Sequence, residues 1–133
     1  MLPRLLLDTH ILLRWFFEPK KLTKGQLRAI ESAIGRGERL AFSAMSLLEI
    51  ALLAGADRLA LKGPLDDFFR DLNSDAAFCL LPLTYDVAAD AASLGVLRDP
   101  SDRAIAATAR VHRFRLVTSD QRIVDSGLVP VVE

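Results

Sequence analysis

The chain has little cysteine, little histidine and no excess of either charge, and each shortage excludes a class of protein. One Cys among 133 residues excludes a framework of disulfides within the chain and a zinc site built on several cysteines. Two histidines, His10 and His112, are too few for a histidine-rich metal cluster. The 17 Lys and Arg residues balance 17 Asp and Glu residues, so the net charge does not suit a protein that coats nucleic acid by charge alone.

Long apolar runs are missing as well. The start, Met1-Leu2-Pro3-Arg4, lacks the cationic stretch and long apolar segment of a signal peptide. The stretch with fewest charges, residues 40–56, contains Glu49 and falls short of the roughly 20 residues that a membrane span needs. We therefore expect a cytoplasmic protein with no membrane segment. Because no linker, repeat or change of composition divides the chain, we expect residues 1–133 to form a single domain.

Short apolar segments alternate with segments of helical periodicity. Strands are predicted at residues 5–7, 39–43, 78–83, 115–118 and 129–132. Helices are predicted at residues 11–17, 21–37, 44–55, 64–73, 85–94 and 99–113, with a turn or short helix at 120–125. The helix at 44–55 is nearly all apolar, which predicts a buried helix. The alternation predicts an α/β sandwich with a mostly parallel sheet, whose ligands bind at the carboxyl ends of the strands.

Carboxylates follow the predicted strands at this edge of the sheet. Asp8 ends the first strand, Glu49 lies about one turn into the helix after the second, and Asp120 follows the fourth. Asp99 and Asp102 open the helix that precedes the fourth strand. Helix capping, a helix dipole or a turn explains each Asp taken alone. Glu49 in an apolar helix instead needs an ion-pair partner or a metal. Because clustered carboxylates repel one another and oxygen ligands suit hard cations, the cluster favours a site for Mg²⁺ or Mn²⁺.

Four segments resemble the motifs of the PIN-domain nucleases, in the same order and across nearly the whole chain. The resemblance is greatest to the branch called VapC, the toxin half of bacterial type II toxin–antitoxin pairs. Two positions depart from the pattern: Leu97, where many relatives carry His, and Ser101, where an aromatic residue is frequent. These departures bear on the shape of the cleft and on substrate choice. The four segments are residues 6–13 (LLDTHILL), 43–50 (SAMSLLEI), 99–109 (DPSDRAIAATA) and 116–120 (LVTSD).

The resemblance implies a PIN-like three-layer α/β/α sandwich with four to five strands. It also implies an endoribonuclease that hydrolyses RNA with one or two Mg²⁺ or Mn²⁺ ions, forms a homodimer and binds a VapB-like antitoxin. The carried-over positions fall into two groups. The catalytic and metal-binding carboxylates would be Asp8, Glu49, Asp102 and Asp120, and the supporting polar groups would be Thr9, Asp99 and Thr118.

Cationic side chains near the motifs are candidates for phosphate contacts. Arg103 is the first candidate because it adjoins Asp102. The others are Arg110, Arg113, Arg115 and Arg122.

The first predicted helix carries His10 and a dense aromatic patch. We expect His10 to pack or to form a hydrogen bond rather than to catalyse. Trp15, Phe16 and Phe17 are expected in the core. An alternative is an apolar groove for an antitoxin tail, with Leu12, Trp15 and Phe16 as its candidate residues.

Other functions remain open at this point. The same fold without activity would be a silent module for binding or dimerisation, although all four acids are present. A non-toxin housekeeping PIN nuclease is another alternative. A phospho-receiver domain is disfavoured because no Lys follows Lys62 and no paired acids end the first strand. A dinucleotide-binding domain is disfavoured because no Gly-x-Gly-x-x-Gly follows that strand.

Overall fold

The computed structural model describes residues 4–133. Residues 1–3, on which part of the signal-peptide prediction depends, lie outside the described residues. The strands are β1 (Leu5–Leu7), β2 (Leu40–Ser43), β3 (Phe78–Leu81), β4 (Arg115–Val117) and β5 (Val131–Val132). The helices are α1 (Thr9–Phe17), α2 (Lys24–Gly35), α3 (Ala44–Gly55), α4 (Leu65–Ser74), α5 (Tyr85–Ala92), α6 (Pro100–His112) and α7 (Gln121–Ser126).

The strands form one parallel sheet in the order β3-β2-β1-β4-β5. β1 lies at its centre, with Leu6 beside Ala41 of β2 on one side and beside Leu116 of β4 on the other. The connections run outward in opposite directions from β1 and β4, which makes the gap between these two strands the switch point of the sheet. Ligands of open α/β sheets bind beyond the carboxyl ends of the strands at this point. The predicted α/β class and parallel sheet are confirmed.

Helices cover both faces of the sheet, because successive side chains of a buried parallel strand point to opposite faces. Leu5 and Leu7 face a core built with α1, α2, α3 and α4. Leu6 faces a second core built with α5, α6 and α7. All three leucines are buried, and each contributes about 1.5–3 kcal/mol to the free energy of folding. The three-layer sandwich is therefore confirmed.

Several element boundaries differ from the prediction by one to three residues, and two of these differences have a local chemical reason. α2 begins at Lys24 rather than residue 21, because Pro19–Lys21 forms a separate 3-10 turn and Thr23 caps the helix. β3 ends at Leu81 rather than residue 83, and the next residue, Pro82, has no N–H to donate to a neighbouring strand.

The prediction that α3 is buried is wrong. Only Ser46 and Ile50 of this helix are buried, whereas Leu48 is 52% exposed and Leu52 is 64% exposed. The helix rests on the sheet by one side, and its outer apolar side chains face solvent. Apolar composition alone therefore overestimated how much of the helix is covered.

No helix within residues 4–133 is long and apolar enough to cross a membrane. Cys79, the one cysteine of the chain, is a free thiol in β3 and is only partly buried.

Candidate active site at the carboxyl edge of the sheet

Asp8 follows β1 directly and is held by hydrogen bonds on both carboxylate oxygens. Its Oδ1 accepts the backbone N–H of Thr9 at 2.8 Å, so it caps α1 as the sequence predicts. Its Oδ2 accepts the hydroxyl of Thr118 at 2.7 Å. Asp8 is only 4% exposed, and these two bonds fix the orientation of a nearly buried carboxylate at the switch point.

Thr118 joins the ends of β1 and β4. Its fully buried hydroxyl donates to Asp8 and accepts the backbone N–H of Asp120 at 3.0 Å. One hydroxyl therefore sets the positions of two acidic residues from distant parts of the chain. The prediction of Thr118 as a supporting polar group agrees with this geometry.

Glu49 is oriented by a chain of two hydroxyl groups. The Thr9 hydroxyl donates to Glu49 Oε1 at 2.6 Å and lies 2.8 Å from the Ser46 hydroxyl. Because Thr9 has only one hydroxyl proton, Ser46 is the donor to Thr9 when Glu49 is ionised. Ser46 and Glu49 share one face of α3, three residues apart. Within residues 4–133 Glu49 forms no ion pair, so a hydroxyl satisfies it rather than a cationic side chain.

The start of α6 supplies two further carboxylates. Asp99 caps the helix by accepting the backbone N–H of Ser101 at 2.9 Å. Asp102 lies in the first turn and does not cap. Partial burial, followed by the negative charges of Asp120, Asp99 and Asp8, raises the pKa of Asp102 to about 6 against the opposing charge of Arg122. Such repulsion is expected of acids that the fold brings to one edge.

Asp120 caps α7 and pairs with Arg122. Burial alone raises the pKa of Asp120, but the hydrogen bonds and charge of Arg122 outweigh burial and lower it. Arg122 Nη2 lies 3.3 Å from Asp120 Oδ2 and 3.8 Å from Asp102 Oδ2. The guanidinium group therefore lies near two of the candidate metal ligands.

His10 forms hydrogen bonds, as expected, and links α1 to the loop after β4. Its Nε2 accepts the backbone N–H of Ser119 at 2.9 Å, and its Nδ1 lies 3.5 Å from Asp8 Oδ2. Burial lowers the pKa of His10, with the Arg14 charge adding to this effect and the Asp8 charge opposing it. A neutral His10 that accepts at Nε2 carries its proton on Nδ1, the nitrogen that faces Asp8.

Gln26 is a site residue that the sequence reasoning missed. It is fully buried, and its Nε2 donates to the Ser119 hydroxyl at 2.8 Å, beside a 3.3 Å hydrogen bond from Arg14 to the same hydroxyl. The Thr23–Gln26 capping box is visible in the sequence. Its second role is to hold the loop that presents Asp120 through hydrogen bonds to Thr118 and Ser119. This role depends on where α2 packs in the fold and has no local sequence signal. Ser46 was missed for the same reason.

The arginines predicted to flank the site divide into two groups. Arg122 lies at the site, and Arg103 Nε donates to the carbonyl of Leu97 in the loop that precedes α6. For Arg110, Arg113 and Arg115 the prediction is wrong. α6 starts at the carboxyl edge and ends near the start of β4, so these three lie toward the opposite edge. Along the helix, Arg110 is about 12 Å and Arg113 about 16 Å from Asp102, and Arg115 opens β4. Arg110 there pairs with Asp90 at 2.9 Å.

The aromatic patch of α1 belongs mainly to the core. Phe16 packs against Phe78 and Phe68 with ring centroids 5.1 and 5.5 Å apart, and Trp15 packs partly buried against the same cluster. Leu12 is fully buried, so its assignment to an exposed groove is wrong. Leu12 lies on the side of α1 that faces the sheet.

The donor set of this edge fits a hard divalent cation by chemistry and charge. Its donors are carboxylate and hydroxyl oxygens, and the repulsion among its carboxylates is the kind that a cation removes. Within residues 4–133, the side chains do not place any three His, Cys, Asp or Glu residues together as a ready-made metal cluster. The acids converge on one edge, and closer approach requires side-chain movement.

Comparison with known proteins shows a family and a fold. The family model described as the PIN domain matches residues 5–126. The chain is 38% identical over 120 residues to the ribonuclease VapC22 of Mycobacterium tuberculosis (strain ATCC 25618 / H37Rv), covering 89% of this chain and 88% of that protein.

Two solved structures share the fold at low sequence identity. FitAcB from Neisseria gonorrhoeae matches with a TM-score of 0.67 and 23% identity, covering 97% of this chain and 96% of that chain. VapBC2 from Rickettsia felis, bound to a DNA fragment from its promoter, matches with a TM-score of 0.70 and 16% identity, covering 96% of both chains. These likenesses place the three-layer sandwich among known folds.

Proposed function

The chain belongs to the PIN-domain family, and we propose that it is a metal-dependent endoribonuclease acting as the toxin of a toxin–antitoxin pair. The observation that carries the proposal is the convergence of acids from three separate sequence segments at the switch point of the sheet. Asp8, Asp102 and Asp120 are close enough for two of them to raise the pKa of the third. A fold without a ligand at this edge gains nothing from such repulsion.

The ligands of the cation in this proposal are Asp8, Asp102 and Asp120, together with Glu49. One or two Mg²⁺ or Mn²⁺ ions there supply charge neutralisation at the scissile phosphate and lower the pKa of water. The chain's own contribution is to hold the oxygens in place. Thr118 fixes Asp8 and the start of α7, and Asp99 adds negative charge beside Asp102.

Glu49 has a distinct place in this arrangement. Thr9 occupies one of its oxygens, which leaves the other to accept a proton or to bind a cation. The Ser46–Thr9 hydroxyl chain restricts the rotation of the carboxylate, so less conformational entropy is lost when the site is loaded.

RNA is the substrate class in this proposal, and the name of the ribonuclease relative supports it. A VapB-like antitoxin is the proposed protein partner, supported by the VapBC2 name of the structural neighbour. A homodimer and a cytoplasmic location complete the proposal. Arg103 is the proposed contact to substrate phosphate, through the part of its guanidinium that does not bind Leu97.

The experiment that tests the proposal is cleavage of a structured RNA pool by purified protein without antitoxin. The reaction is run with Mg²⁺, with Mn²⁺ and with EDTA, for the native chain and for Asp102→Asn. Asp86→Asn is the matched control, because Asp86 is a first-turn aspartate of another helix, α5, and is exposed. We expect metal-dependent cleavage by the native chain and by the control, and a loss of at least about 100-fold in Asp102→Asn.

The outcomes separate the alternatives. A folded chain that neither cleaves RNA nor binds Mn²⁺ contradicts the enzyme and supports a silent binding module. A chain that cleaves RNA but whose expression does not arrest growth, and that is not inhibited by the product of a neighbouring short gene, is a housekeeping nuclease rather than a toxin.

A further inference from the structure

We infer that Arg122 is a built-in counter-cation of the carboxylates of Asp102 and Asp120 and competes with the divalent cation for them. The inference rests on the proposed function, because it assigns these carboxylates as metal ligands. It makes Arg122 a residue that sets the metal affinity of the site without being a ligand itself.

The contacts of Arg122 reach both carboxylates from one side. Nη2 lies 3.3 Å from Asp120 Oδ2 and 3.8 Å from Asp102 Oδ2, while Nε donates to Asp120 Oδ1 at 3.3 Å. The two nitrogens therefore engage both oxygens of Asp120, and one of them also faces Asp102. A guanidinium in this place supplies positive charge to acids from two different motifs.

The pairing with Asp120 has a local origin. Asp120 Oδ1 accepts the backbone N–H of Arg122 at 3.0 Å because Asp120 caps α7. This bond fixes the Arg122 backbone two residues after the cap, at a distance from which its side chain folds back onto the same carboxylate. The formation of α7 therefore places Arg122 within reach of the Asp120 carboxylate.

The guanidinium is close enough to both acids to form ion pairs, at 3.3 Å from Asp120 and 3.8 Å from Asp102. The Arg122 side chain is 76% exposed, so it leaves the carboxylates without disturbing the core. A competitor of this kind is displaceable by a divalent cation, which brings twice the charge.

Competition weakens metal binding because the ion pairs of Arg122 with Asp102 and Asp120 must break when the cation binds. The loss of binding free energy equals the free energy of those pairs. Exposed ion pairs are individually weak, so removing Arg122 is expected to tighten Mn²⁺ binding by about three- to tenfold. The effect is electrostatic and shrinks when the salt concentration rises from about 0.05 to 0.5 M.

The test is Mn²⁺ titration into the metal-free chain, followed by calorimetry or by the electron paramagnetic resonance of free Mn²⁺. The variants are Arg122→Gln, which removes the charge, and Arg122→Lys, which keeps the charge but loses the two-pronged contact with Asp120. Arg98→Gln is the matched control. Arg98 lines the same cavity of about 180 Å³ as Asp102 and Arg122 but forms no ion pair within residues 4–133.

The inference expects tighter Mn²⁺ binding in Arg122→Gln, a smaller gain in Arg122→Lys, and less than a twofold change in Arg98→Gln. Mn²⁺ binding only in Arg122→Gln would support it more strongly. Equal or weaker binding in Arg122→Gln, with binding retained by the native chain, overturns the inference and leaves the proposed function intact. No binding by any of the four proteins overturns the metal site itself and the inference with it.

Discussion

Replacing Asp102 by Asn should stabilise the metal-free chain while abolishing its activity. Partial burial, together with the negative charges of Asp120, Asp99 and Asp8, raises the pKa of Asp102 from an ordinary 3.8 to about 6. Above that pH the native state holds a carboxylate that burial and its neighbours disfavour. Asn has nearly the same shape and no charge, so it removes the unfavourable interaction.

The size of the effect follows from the pKa and from the exposure of Asp102. A rise from 3.8 to about 6 corresponds to about 3 kcal/mol at 1.36 kcal/mol per unit. The Asp102 side chain is partly exposed, and solvent screening reduces the figure to about 1–1.5 kcal/mol. For a chain of 133 residues this raises the melting temperature by about 3–5 °C.

The assay is thermal and urea denaturation in EDTA, at several pH values between 4 and 8. Because the folded pKa lies above the unfolded one, the native state binds more protons between pH 3.8 and about 6. The stability that the protonated carboxyl permits is therefore lost as the pH rises through about 6. Asp102→Asn should lack this loss, so its free energy of unfolding should exceed that of the native chain by most above pH 7.

Asp86→Asn, the exposed control in α5, should change stability by no more than about 0.5 kcal/mol. A melting temperature of Asp102→Asn at or below that of the native chain at pH 7.5 would refute the reasoning.

Two further predictions concern single contacts of the fold. Thr118→Val leaves a buried oxygen of Asp8 and the N–H of Asp120 without their partner, and should cost about 1–3 kcal/mol in urea denaturation; a cost below 0.5 kcal/mol would show that another donor replaces the hydroxyl. Ile50→Ala should cost about 2–5 kcal/mol because Ile50 is fully buried, whereas Leu52→Lys on the exposed side of α3 should stay within about 0.5 kcal/mol. Equal losses in these last two variants would show that the outer side of α3 is covered in solution.

The sequence was most informative where function and topology share the same residues. The end of β1 is marked by an apolar run that stops at Asp8, and the end of β4 by Thr118 and Asp120. Parallel strands bring such ends to one edge, so the position of the acids follows from the strand assignment alone. The start of α6 was equally clear, because Asp99 followed by Pro100 is the usual signal for a helix start.

Prediction from the sequence failed where a residue's position depends on which face of a helix or strand packs against the rest of the fold. Arg115 stands close to Asp102 along the chain, but α6 carries the chain back across the sheet, so the two lie at opposite edges. Leu48 and Ile50 are both apolar residues of α3, and only packing decides that one is half exposed and the other fully buried. Gln26 and Ser46 act through contacts with residues far away in the chain, which leave no local pattern.

The capping and ligand interpretations of the aspartates are not alternatives. Asp8, Asp99 and Asp120 each accept a backbone N–H at the start of a helix, and each lies at the edge where the acids converge. Capping holds one oxygen of each carboxylate near a fixed backbone N–H, so it orients the group. Asp102 caps no helix, and burial together with its acidic neighbours raises its pKa to about 6. Its carboxylate is therefore disfavoured by burial and repulsion in the metal-free chain. A bound cation would relieve this repulsion, which is why the stability of Asp102→Asn is the sharpest test of the site.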